Sequence, residues 1–194
     1  GMNILKKYLK DGYCRTAAEK LLHAERGTVL LTTGFYVAGY AETDGPLGTV
    51  AVAEALNQLG FHSVVVTDKY CKGFFELKQL DVEYVDIAAD EQVYEDILDK
   101  YNPVYMISIE RCGENAEHEY ANMRGVSITS ETAAIDHLFE LAPEKHIPTI
   151  GVGDGGNEIG MGNVKDIISE KLELNPCVVP VDDLIIATTS NWGA

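Results

Sequence analysis

The stretch Thr149-Ile150-Gly151-Val152-Gly153-Asp154-Gly155-Gly156-Asn157-Glu158-Ile159-Gly160-Met161-Gly162 constrains this chain more than any other. An apolar run with strand character delivers Asp154, two glycines, an amide and a second acid, Glu158, within reach of one tight turn. Glycines at a strand end let backbone N–H groups approach a ligand without Cβ interference. In open parallel α/β sheets, ligands bind at such strand ends. The plain alternative is a helix cap, for which an Asp ahead of Asn-Glu is ordinary chemistry. A cap, however, does not call for Gly at 151, 153, 155, 156, 160 and 162 together. Paired carboxylates on such a turn suit acid–base exchange, receipt of an amine, or a divalent ion, with Asp154 and Glu158 as ligands to Mg²⁺ or Mn²⁺.

The rest of the chain alternates apolar runs with helical stripes. Strands are predicted at Thr28–Thr32, His62–Thr67, Val82–Val85 and Val104–Ile109, at the glycine stretch, and in one or two runs across Val178–Ile186. Helices are predicted where Ile4, Leu5, Tyr8 and Leu9 form a stripe and over Ala17–Ala24. Another opens at Asp44-Gly45-Pro46, with Val52, Ala55, Leu56 and Leu59 facing inward, and ends at Gly60. Three more rest on Tyr94, Ile97, Leu98 and Tyr101 after Asp90, on Ile135, Leu138 and Phe139, and on Val164, Ile167, Ile168 and Leu172. Continuously apolar strands separated by helices imply an α/β fold. The expected form is a mainly parallel open sheet with helices on both faces, Rossmann-like and three-layered. Residues 1–194 fit one domain. The stop after Ser190-Asn191-Trp192-Gly193-Ala194, where a helix is due to begin, suggests that a C-terminal segment is absent.

Charge narrows the partners. The formal net charge is -16, from 31 acids against 15 basic residues, which disfavours nucleic acid and anionic membranes. Four scattered cysteines signal neither a zinc knuckle nor a disulfide framework, so a cytoplasmic location is expected. The five histidines form no ligand pair. A Gly-x-Ser-x-Gly elbow is absent, and with it support for a serine hydrolase. The composition leaves association into a homo-oligomer open.

Three further clusters follow strands. Glu42-Thr43-Asp44-Gly45-Pro46 opens a helix whose N-terminus suits a carboxylate or phosphate, or is simply capped. Glu110-Arg111 closes an apolar strand, and Arg124 sits in Asn122-Met123-Arg124-Gly125; either arginine suits bidentate capture of a carboxylate, or pairs with a nearby Glu. Ser190 and Asn191 add a hydroxyl and an amide at the last strand end.

Taken in order, Thr33-Gly34-Phe35, Glu42 to Gly48, Asn122 to Gly125, Ile150 to Gly162 and Ser190 to Ala194 resemble the D-glutamate cyclase family over nearly the whole chain from about Gly27. Where members usually carry Glu-Arg-Pro-Gly-Arg, this chain has Glu110-Arg111-Cys112-Gly113-Glu114. The resemblance implies reversible dehydration of D-glutamate to 5-oxo-D-proline, a carbon–oxygen lyase reaction on a small amino-acid substrate. Ring closure requires a neutral α-amine to attack the γ-carboxyl with expulsion of water. The expected allocation puts Arg111, Arg124 and the Asp44 helix start on the carboxylates. Asp154 or Glu158 takes the amine proton, Glu110 protonates the departing hydroxyl, and the N–H groups of Gly155 and Gly156 face the oxyanion. Thr43, Gly45, Asn122, Asn157, Ser190 and Asn191 complete the expected substrate contacts. Two alternatives remain: a non-catalytic amino-acid-binding module, and a Mg-dependent haloacid-dehalogenase-like phosphatase. The phosphatase needs an Asp-x-Asp nucleophile, where the chain offers Leu31-Thr32-Thr33-Gly34 and Val66-Thr67-Asp68-Lys69.

Overall fold

In a computed structural model, which describes residues 1–194, six of the apolar runs become the strands of one sheet. The chain runs α1 (Met2–Leu5), α2 (Tyr13–His23), β1 (Thr28–Thr33), a small antiparallel hairpin β2 (Tyr36–Val37) and β3 (Tyr40–Ala41), α3 (Pro46–Gln58), β4 (His62–Asp68) and β5 (Asp81–Val85). It continues through α4 (Glu91–Tyr101), β6 (Tyr105–Ile109), α5 (His137–Leu141), β7 (Thr149–Gly153), α6 (Lys165–Leu172), β8 (Asp183–Ile186) and α7 (Ser190–Gly193).

The six long strands are all parallel, in the order β5-β4-β1-β6-β7-β8. Counting these strands alone, the order is 3-2-1-4-5-6, the doubly wound Rossmann arrangement. Its crevice opens between the carboxyl ends of the first and fourth strands, here β1 and β6. One face packs Val29, Leu31, Ile107 and Val152 against Ala17 of α2 and Ala53 and Leu56 of α3. The other packs Leu30, Val64, Met106 and Leu184 against Tyr94, Ile97 and Leu98 of α4, Leu138 of α5 and Ile168 of α6. The three-layer expectation holds. No helix is long and apolar enough to cross a membrane.

Two local readings are corrected. In α3 the buried face is Pro46, Gly48, Thr49, Ala53 and Leu56, whereas Leu59 is 45% exposed. Small residues let this helix lie close to the sheet, so its larger side chains turn outward. Val178–Val181 is not a strand: Pro176 precedes it and Pro180 interrupts it, and the N–H groups of Val178 and Val181 bond to Glu114 O and to the Asn163 side chain instead of a ladder.

The glycines of β7 have a packing cause. Residues 158–161 double back across the face of the strand, with Ile159 N bonded to Arg111 O at 2.9 Å. A Cβ on Gly151 would stand 2.7 Å from Ile159 O, and one on Gly153 2.7 Å from Met161 Cε. Gly-x-Gly leaves that face bare so that the returning chain can lie on it.

Candidate functional site

Three carboxyl groups meet beside the crevice, at the carboxyl edge of the sheet. Asp154 follows β7, Glu110 follows β6, and Asp44 precedes α3; an oxygen from each lies within 4.8 Å of the others. Glu110 is 5% exposed and takes a left-handed backbone conformation, φ 54°, that non-glycine residues adopt at a cost. Gly45, at φ 100°, approaches so closely that a Cβ there would meet Glu110 Cβ and Thr33 Oγ1 at 2.7 Å. None of the chain's ion pairs involves any of the three acids.

Crowded, half-buried negative charge favours the protonated forms. Burial, then the Glu158 and Asp44 carboxylates, push Asp154 up to about 7. Burial also raises Glu110 well above the usual carboxylate range, with Glu158, Asp154 and Asp44 adding to it. The hydroxyl of Ser190, donating to Glu110 Oε2, acts in the opposite sense.

Several sequence-predicted ligands are engaged elsewhere. Glu158 is fully buried and caps its own turn: Oε1 accepts from the N–H groups of Asp154 (3.1 Å) and Gly155, and Oε2 from Gly156 N at 2.6 Å. The helix-cap alternative is not what forms: no helix opens between Asp154 and Gly160, and Glu158 instead closes the amides of its own turn. The Gly155 and Gly156 amides are therefore not free to face an oxyanion, and Glu158 is not free to receive an amine proton. In Glu158→Gln the Nε2 group would face the Gly156 N–H and a charged acceptor would be lost. We expect a loss of about 2 kcal/mol, seen in calorimetry as an unfolding midpoint lower by ~5 °C.

Arg111 is also withdrawn. It has no exposed surface; its guanidinium pairs with Asp68 Oδ2 at 2.7 Å and donates to the carbonyls of Gly34 and Ala133. A fork buried in the core and committed to Asp68 and two carbonyls cannot grip a substrate carboxylate. Asp68 is likewise buried, and β1 ends in Thr33 with no Asp, so the phosphatase alternative finds no nucleophile.

The start of α3 is closed by a contact from the far end of the chain. Asn191 Oδ1 accepts from Gly45 N (2.9 Å) and Gly48 N (2.8 Å), and its Nδ2 donates to Thr43 O. In return Asp44 accepts from Ser190 N (2.9 Å) and Asn191 N (2.6 Å) at the start of α7. The helix dipole end offered for an anion is thus already capped. Sequence reasoning missed this reciprocal cap because its halves stand 146 positions apart. The local signal was Ser-Asn after a strand, which is capping chemistry.

Asn157 donates from Nδ2 to Ala121 O at 2.9 Å, tying the glycine turn to the base of the 121–127 loop. Asn122 Oδ1 organises the tip by accepting from Arg124 N and Val126 N. Arg124 is exposed at that tip and its guanidinium makes no ion pair. It is the expected carboxylate ligand whose fork stays available.

Asp44, Glu110 and Asp154 present hard oxygen donors of the type that holds Mg²⁺ or Mn²⁺. Asp44 here takes the place expected for Glu158.

The sequence model of the family described as D-glutamate cyclase-like, C-terminal, matches residues 1–194. "D-glutamate cyclase, mitochondrial" of Homo sapiens is 33% identical over 204 residues, covering 91% of this chain and 32% of that protein. The chain therefore spans about a third of the length of that curated relative. Among solved structures, UDP-glucose 4-epimerase of Brucella ovis in complex with NAD overlaps at a TM-score of 0.44 and 14% identity, covering 76% of this chain and 49% of that one. The Bordetella bronchiseptica enzyme WbmG in complex with NAD gives 0.43 and 10%, covering 68% and 39%. Overlaps this partial say nothing about chemistry. A family model that matches the whole sequence, with a relative 33% identical over 91% of it, makes this chain a member of the D-glutamate cyclase-like family.

Proposed function

We propose that the chain carries the site for reversible dehydration of D-glutamate to 5-oxo-D-proline. The observation that carries this reading is the group of three carboxyls at the crevice, two of them raised in pKa, with no basic side chain paired to them. Such a group attracts an ammonium and exchanges protons near neutrality.

The chemistry fits that inventory. Closing the ring removes two protons from the α-ammonium and places two on the γ-carboxylate oxygen that leaves as water. The acids must take and return protons at one place, and they end as they began. Asp154, half-exposed, receives the proton from nitrogen. Glu110, protonated and buried, delivers one to the γ-oxygen and hydrogen-bonds the tetrahedral oxyanion in place of the occupied Gly155 and Gly156 amides. Arg124, exposed at the tip of the 121–127 loop, is the fork we assign to the α-carboxylate. Asp44 completes the negative field and is held by Ser190 and Asn191. Were a divalent ion bound, Asp44, Glu110 and Asp154 would hold it, and it would supply Lewis-acid polarisation of the γ-carboxyl. The four free cysteines fit a reducing compartment, and we assign the protein to the cytoplasm.

The test is incubation with D-glutamate, L-glutamate and both 5-oxoprolines, with and without chelator, followed by chiral chromatography. Interconversion of the D pair supports the reading; binding without turnover in either direction favours the amino-acid-binding module. Loss of activity with EDTA, restored by Mn²⁺ or Mg²⁺, selects the metal-assisted version. The pH profile is a further expected outcome. Asp154 must be ionised to act as base, so kcat/KM rises through about pH 7; Glu110 must be protonated to act as acid, and burial extends its protonated form to higher pH than an ordinary carboxylate keeps it.

A further inference from the structure

We propose that Asn191 and Ser190 are positioning residues, and that the α7 segment is a polar latch which sets the carboxyl group of Asp44 against Glu110 and Asp154. This deepens the cyclase reading and rests on it. The latch is built from both sides. Asp44 holds the first two N–H groups of α7, Asn191 holds two N–H groups of the α3 start, and Ser190 Oγ reaches Glu110. Docking also requires Gly48, because a Cβ there would stand 2.9 Å from Ala194 Cβ and 3.1 Å from Asn191 Cα.

In this arrangement Asn191 Oδ1 and Nδ2 both bond to the backbone of the α3 start, which commits the side chain to the latch. Losing the latch frees the 43–45 turn and lets Asp44 drift from the other two acids, which misplaces the reacting groups while Arg124 still binds.

Two variants and one built-in probe test it. Trp192 is the only tryptophan, so fluorescence anisotropy reports the mobility of α7 without a label. Gly48→Ala places a better helix former inside α3, and the nearest atoms its Cβ meets belong to Asn191 and Ala194. Asn191→Ala removes the cap itself. In both, we expect Trp192 anisotropy to drop, kcat on D-glutamate to fall by about 10- to 100-fold, and KM to stay within about threefold. Gly48→Ala is expected to keep the wild-type unfolding midpoint, which separates positioning from a general loss of fold. A rise in KM at constant kcat and constant anisotropy in Asn191→Ala would make Asn191 a substrate ligand and overturn the proposal. Unchanged anisotropy in both variants overturns the latch even where the wild type turns over no D-glutamate, a result that by itself counts against the cyclase reading.

Discussion

Asp154→Asn is expected to lower kcat for D-glutamate cyclisation by about 10²- to 10⁴-fold, the range that a positioned general base contributes. The substitution keeps the volume and the hydrogen-bonding shape while removing the one acid of the cluster that is both half-exposed and raised to about 7. Its effect on stability has the opposite sign. A carboxyl whose pKa is raised by folding stabilises the fold while protonated, fully so below its unfolded value near 4, and that contribution is lost as pH climbs through about 7. Above pH 7 the wild type holds an ionised Asp154 against Asp44, Glu110 and Glu158; the variant does not. Asp154→Asn should therefore unfold at a higher temperature than wild type at pH 8 and lose that advantage near pH 4. A variant slower in turnover but more stable at pH 8 marks a group placed for chemistry at the expense of the fold. Turnover within about threefold of wild type at saturating D-glutamate would remove Asp154 from the role of base.

The sequence made the sheet legible because parallel strands buried on both faces read as unbroken apolar runs. Thr28–Thr33, His62–Asp68 and Tyr105–Ile109 each stand out on that ground alone. The gathering of the candidate acids was partly legible, since Asp154 and Glu110 follow such runs at ends that a parallel sheet gathers on one side, and Asp44 opens the helix beside them. The partners of these groups were less visible. Arg111 closes an apolar strand and looks free in sequence; its partner Asp68 is 43 positions away and becomes its neighbour only when β4 and β6 flank β1. Asn191 looks like a ligand until the fold brings it to the amides of Gly45 and Gly48. Glu158 was the most local miss, its cap spanning two to four residues. Asp154 had the expected capping position, but Gly156 at φ 115° turns the chain so that the later acid faces the amides. Glycine spacing announced a tight turn without saying which acid would fill it. The face of α3 was missed for another reason: a stripe search rewards large apolar residues, and this helix buries small ones.

Arg111→Ala should lower stability by about 3–5 kcal/mol, the usual consequence of removing one partner of a buried ion pair. For a chain of this length that is an unfolding midpoint lower by ~6–20 °C. The cause is the group left behind. Asp68 has no exposed surface, and besides Arg111 its side chain accepts only from Tyr70 N at 3.1 Å. The carbonyls of Gly34 and Ala133 would lose their guanidinium donors in the same step. Arg111→Lys retains the charge but cannot span Asp68 and both carbonyls at once, so it should also destabilise, by less than Ala. The same pair of variants decides between this structural role and the carboxylate ligand expected from sequence. A ligand lost in Arg111→Lys would raise KM for D-glutamate in a protein that melts normally, whereas a core clamp lost leaves KM near wild type at a temperature where the variant is folded and shifts the midpoint. Because the guanidinium joins β1, β4 and the 133 turn beneath the crevice, its loss should loosen the ends of those strands first, read as faster amide exchange at Gly34 and Ala133 than at the strand centres Leu30 and Val65.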